Sequence, residues 1–117
     1  MNSSNMNFKQ IRNLCLSLPE VTEEVKWRQD RYFSVENQPF CVTDSDTDGG
    51  ASFKVPEQEF EAMIAREGII PAPYMDREFW VMVLDFSWLT DDEWTHYIHQ
   101  SYELVKALLP KKNRESL

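Results

Sequence analysis

Glycine is scarce in this chain: there are three in 117 residues, two of them adjacent at Gly49-Gly50. No glycine-rich phosphate loop or flexible glycine linker can be built from so few. Cysteine is nearly as sparse. Cys15 and Cys41 have no CxxC spacing, which excludes a disulfide scaffold and leaves two buried, reduced thiols of a cytoplasmic protein as the expected state. Bases are in deficit, 12 against 20 acids, for a net charge of −8 and a pI of 4.7. Such a chain repels nucleic acid and anionic membranes at long range. A polyanion would have to be held by a local basic patch acting within a Debye length of ~8 Å. Long apolar runs are missing as well. The longest, Phe79 to Leu84, is too short to cross a bilayer. The polar stretch from Met1 to Phe8 lacks the apolar segment of a secretion signal, so export is not expected.

What is present suits one globular domain spanning residues 1–117. Hydrophobic residues are 42% and aromatics 13% of the chain, enough for a core without staples at a size where folding buries roughly two-thirds of the unfolded surface. Phe8, Ile11, Cys15 and Leu18 recur at helical spacing and predict a helix from about Asn5 to Ser17. Ser3, Ser4 and Asn5 are candidate caps, and Pro19 is the stop. Val21 to Trp27 reads as extended. Arg31–Val35 and Pro39–Thr43 are β-rich runs around Glu36-Asn37-Gln38, a hairpin in which asparagine tolerates positive φ. Ala51, Phe53 and Val55 alternate with Ser52 and Lys54 as a fourth strand. Pro56, Glu57 and Glu59 open a second helix that Gly68 closes. Ile69 to Tyr74 is a proline-stiffened apolar connection, and Phe79 to Leu84, apolar on both faces, a central strand. Thr90 and Glu93 form a capping box for the last helix, with Leu89 placed to staple onto Trp94 and Pro110 to end it. The order implies an α+β fold: a single antiparallel β-sheet of about five strands with three helices packed on it.

Few groupings carry chemistry. Asp44-Ser45-Asp46-Thr47-Asp48-Gly49 imitates the start of a calcium loop. The twelfth position, however, is Val55 rather than the bidentate glutamate, so the segment reads as a polar loop. If the last helix buries Trp94, Ile98, Ser101, Val105 and Leu108, its far side carries Asp92, His96, His99 and Glu103, a solvated face rather than an enclosed metal site. No GxSxG or HExxH motif occurs, no base stands near a nucleophile, and no catalytic residues, metal or cofactors are assigned. Trp27 stands between Lys26 and Arg28, with Arg31 close behind. Basic residues interleaved with an aromatic are the pattern that meets phosphate and base together, although a packed sheet edge with solvated charges gives the same pattern. A second basic concentration, Lys106, Lys111, Lys112 and Arg114, also serves as a charge cap for the last helix.

Several stretches taken together resemble the MmcQ/YjbR family of small bacterial proteins. They are Cys15 to Glu24, Phe53-Lys54-Val55-Pro56, Gly68 to Met75 with its PAPY core, Trp80-Val81, Gln100 to Val105, and Leu109-Pro110-Lys111-Lys112. Arg28 stands where members usually carry glycine, and Glu36-Asn37-Gln38 replaces a glycine-rich turn. The resemblance implies a CyaY-like, frataxin-type fold often compared with a double-wing DNA-binding motif, and it implies no catalytic residues. On that analogy the leading expectation is a non-enzymatic module that binds nucleic acid weakly and with steep salt dependence. The contacts would come from Lys26, Trp27, Arg28, Arg31, Lys54, Arg77, Lys111, Lys112 and Arg114. The alternative is a protein- or small-ligand-binding domain built around the stiff apolar Ile69–Met75 stretch. Frataxin-like iron binding is disfavoured, because the first helix, where the analogy wants an acidic ridge, contains no acid.

Overall fold

A computed structural model describes residues 7–25, 30–44, 50–72 and 79–109. The first helix, α1, is Phe8–Leu16, and its start differs from expectation. Asn7 is the cap: its side chain accepts from the Gln10 N–H at 3.0 Å, and the Gln10 side chain accepts from the Asn7 N–H at 3.1 Å. This reciprocal pair satisfies two N–H groups that the first turn cannot. Ser3, Ser4 and Asn5 lie outside the described residues.

The strands are β1 (Val21–Val25), β2 (Asp30–Val35), β3 (Gln38–Asp44), β4 (Ala51–Lys54), β5 (Ile69–Pro71) and β6 (Trp80–Val83), in one antiparallel sheet of order β1-β2-β3-β4-β6-β5. There are therefore six strands rather than about five. The added one is the edge strand β5, which occupies the start of the stretch expected to be a connection. Pro71 is tolerated there because an edge strand leaves one row of N–H groups without ladder partners. The central placement of β6, between β4 and β5, matches its two apolar faces.

The hairpin between β2 and β3 closes Val35 onto Gln38, so its turn is the two residues Glu36 (φ 49) and Asn37 (φ 69). Positive φ at both positions is the turn geometry whose twist matches a hairpin. Farther along, the register jumps: Phe33 pairs with Cys41 but Ser34 with Pro39. Phe40 is the extra residue of this bulge, and it is fully buried. At the start of β4, Gly50 (φ 86) approaches β6 so closely that a Cβ would lie 1.9 Å from the Val83 carbonyl oxygen. Only glycine fits.

Two helices complete the fold: α2 (Glu57–Ile64) and α3 (Asp91–Ala107), the latter preceded by a 3-10 turn at Phe86–Trp88. The Thr90–Glu93 capping box is present, with Thr90 Oγ1 accepting from the Glu93 N–H at 3.1 Å. All three helices cover one face of the sheet. Phe53 stacks on Tyr97 at 5.7 Å and meets Trp94 edge-on at 5.9 Å, while the Trp94 indole N–H donates to the Phe86 carbonyl at 2.8 Å. The α3 residues turned inward are Trp94, Ile98, Ser101, Tyr102 and Val105. Leu108, expected in the core, is instead 70% exposed, because the helix ends at Ala107 and Leu108 is its C-cap. Asp92, His96, His99 and Glu103 are on the solvated side. Cys15 and Cys41 are free and buried. Burial pushes the Cys15 thiol well up, and its hydrogen bond with Cys41 adds to the shift, so this pair behaves as core packing.

Candidate functional site

The antiparallel register sorts the molecule into two ends. Val25, Asp30, Ala51, Val83 and Ile69 mark one; Val21, Gln38, Lys54, Trp80 and Pro71 mark the other. The C-terminal turn of α3 reaches the second end. There the Ser101 hydroxyl accepts from the Lys54 N–H at 2.9 Å and donates to the Phe40 carbonyl at 2.7 Å. Nearby, the Tyr102 hydroxyl donates to the Pro19 carbonyl at 2.7 Å.

Between that turn and the strand ends lies a groove of about 360 Å³. Val105, Leu108 and Leu109 of the α3 end form one wall, Pro39 and Trp80 contribute from the sheet, and Gln38 and Lys54 supply the polar groups. A volume in this range is at the small end of ordinary ligand sites, and its lining is polar and apolar in near-equal parts. Phe79, next to Trp80, has φ 67, an uncommon backbone state for a bulky residue that persists only where its surroundings enforce it. Those surroundings are visible: its carbonyl accepts from the Val55 N–H at 2.9 Å, its ring meets Phe60 edge-on at 5.7 Å, and the Lys54 ammonium sits 5.9 Å from the ring centroid.

Two of the nine residues expected to contact nucleic acid lie among the described residues, and the fold separates them. Arg31 is turned toward the helices, donating to Glu23 at 2.7 Å with its guanidinium 5.3 Å from the centre of the Phe8 ring. The same carboxylate accepts from Arg12 at 2.9 Å. Burial alone would push the Glu23 carboxyl up, but the hydrogen bonds and charges of Arg12 and Arg31 outweigh it and hold the group below its ordinary value. Arg31 is thus part of the clamp between α1 and the sheet, whereas Lys54 is at the far end beside the groove. Lys26, Trp27, Arg28, Arg77, Lys111, Lys112 and Arg114 lie outside the described residues. Of the described residues next to them in sequence, Val25 and Asp30 are at the Arg31 end, and Ala72, Phe79 and Leu109 are at the groove end.

Arg66 is likewise engaged, donating to Glu93 at 3.1 Å. Among the described residues no three histidine, cysteine or acidic side chains are grouped to hold a metal ion, and no helix is long and apolar enough to cross a membrane. The sequence contained no signal for the groove itself, since Gln38, Trp80 and Leu108 are far apart along the chain. The exposed Leu108 was concealed by helical periodicity that continues past the helix end.

The fold has solved counterparts. A Deinococcus radiodurans protein, DR2400, of the DUF419 domain family, superposes with a TM-score of 0.81 at 21% identity, over 93% of this chain and 86% of that one. A Pseudomonas syringae protein superposes with a TM-score of 0.69 at 19% identity, over 85% of this chain and 98% of that one. At such identities the likeness is one of fold. No curated protein matches the chain. The YjbR family model matches residues 16–104, and the chain belongs to the YjbR family.

Proposed function

We propose that this protein is a non-enzymatic binding module that takes a small ligand into the groove at the Lys54 end of the sheet. The observation that carries the reading is the coincidence of three features at one corner. These are a groove of about 360 Å³ whose lining is polar and apolar in near-equal parts, a cationic side chain on its rim, and the enforced left-handed backbone of Phe79 beside it. Strained residues of this kind cluster at ligand clamps. The test is a screen of small organic fragments read by amide NMR. Binders should move the resonances of Lys54, Leu108 and Leu109. Binders that move only residues at the Arg31 end, or a screen with none, overturn the reading.

A second reading, nucleic-acid binding, is favoured by the chain path. Ala72, Phe79 and Leu109, the described residues adjoining Arg77 and Lys111 in sequence, are at the end where Lys54 sits. Binding would be weak and steeply salt-dependent on a protein of charge −8. Fluorescence anisotropy with single-stranded and duplex oligonucleotides at low salt decides it. Absence of binding at about 100 μM protein, at the weak end of the usual non-specific range, removes this reading.

A further inference from the structure

We infer that Cys15 and Cys41 are an oxidation site, two thiols that a peroxide or a disulfide oxidant joins into one bond locking α1 onto the sheet. The inference is independent of the groove. Register places one sulfur: Glu23, Phe33, Cys41 and Phe53 stand opposite one another across β1, β2, β3 and β4, and residues directly opposite share a face. That face is the helix-covered one, since Glu23 holds Arg12 of α1 and Phe53 stacks on Tyr97 of α3. The other sulfur comes from above. Ile11 and Cys15, one helical turn apart, are the α1 residues turned inward. Both thiols are fully buried, and they are hydrogen-bonded to each other.

This contact decides what an oxidant makes. Hydrogen peroxide takes one thiol to the sulfenic acid and leaves as water, and the neighbouring thiol then displaces a second water to form the S–S bond. Two thiols and one peroxide become one disulfide and two waters. With a disulfide oxidant, one cysteine first forms a mixed disulfide and releases a thiol, and the second cysteine displaces the other. The chain has no third cysteine to compete. In the resting protein the pair is inert, because burial keeps Cys15 a thiol rather than a thiolate. Reaction waits for α1 to lift. That helix has nine residues and fully buries only Ile11 and Cys15, and its Arg12 ion pair to Glu23 is partly exposed. Short elements with few buried contacts open locally well before the whole protein unfolds. Once formed, the bond closes the chain between residues 15 and 41 and restricts the unfolded state.

The experiment treats the whole folded protein with hydrogen peroxide and, separately, with oxidised glutathione, and reads intact mass, a non-reducing peptide map and thermal unfolding. Either oxidant should give a monomer lighter by two hydrogen atoms, with the Cys15 and Cys41 peptides joined. The melting midpoint should rise by about 5–10 °C and return to its starting value in dithiothreitol. Arg12→Ala, which releases one hold on α1, should speed cross-linking at least threefold. Cys15→Ala, with its fold checked by circular dichroism, should show neither the cross-link nor the rise. Stable glutathione adducts on single cysteines, or disulfides between chains, overturn the proposal. So do two thiols that stay free in the folded protein while the same oxidant consumes them in urea. A cross-link that leaves the midpoint unchanged or lowers it overturns the locking of α1, and an unchanged rate in Arg12→Ala overturns the lifting of α1 as the step that admits the oxidant.

Discussion

The Ser101 hydroxyl donates to the Phe40 carbonyl at 2.7 Å, tying the middle of α3 to the bulge in β3. The same oxygen accepts from the Lys54 N–H at 2.9 Å. A bulge leaves the ladder locally unpaired; this one lies between β2 and β3, and the helix side chain ties the bulged residue's carbonyl to the strand on its other side, β4. Ser101 is fully buried, so water is a poor substitute for it.

Ser101→Ala should therefore destabilise the protein by about 2–3 kcal/mol, the cost of leaving buried polar backbone groups without partners. Urea unfolding should show a lower midpoint at an unchanged m-value. A loss under about 0.5 kcal/mol would mean that the bulge satisfies itself by another route.

The Glu36-Asn37 turn holds both residues at positive φ, a state that glutamate accepts poorly. Replacing the pair by Asn-Gly, the sequence this turn favours, should stabilise the hairpin and raise global stability by roughly 0.5–1 kcal/mol. The check is the same urea titration. A destabilised variant would show that the Glu36 side chain makes a contribution the backbone argument omits.

The Glu23 carboxyl lies below its ordinary value under the two arginines. Its contribution to stability is fully present above the unfolded-state value, near 4.3, and is lost as pH falls through the lower folded-state value. Stability measured from pH 7 to pH 3 should decline chiefly below about 4.5, and Glu23→Gln should flatten that decline. At pH 7 the substitution should cost about 1 kcal/mol, the upper end for pairs of this exposure, because two arginines converge on one carboxylate. An unchanged acid limb would remove Glu23 as its cause. Glu93 is also held low by the Arg66 hydrogen bond against the opposing effect of burial, with Thr90 assisting, so some acid dependence should remain in the variant.

Local signals made most of the fold legible. The capping box and the periodic Trp94, Ile98, Val105 positions defined α3, and alternation around Phe53 defined β4. The strand β5 was hidden because three residues ending in proline show no alternation. Asn7 and Gln10 were readable as a capping pair but competed with Ser3, Ser4 and Asn5 just upstream. The candidate site was far less legible. Phe79 is a bulky residue with no local reason for a left-handed backbone, and Arg31 looked free until the fold brought Glu23 opposite Phe33 on the adjacent strand. Runs of basic residues report charge in sequence. They do not report the carboxylates that folding brings to them.

The most direct test of the groove uses the four tryptophans, Trp27, Trp80, Trp88 and Trp94, labelled with 5-fluorotryptophan. Among the described ones, Trp80 lines the groove, while Trp88 packs over Gly68 and Trp94 lies in the core. Addition of a small organic fragment that moves the Lys54 and Leu109 amides should shift the fluorine signal that Trp80→Phe removes, and leave the Trp88 and Trp94 signals in place. A shift confined to another tryptophan, with the Trp80 signal unmoved at saturation, would contradict the account and place binding outside the groove.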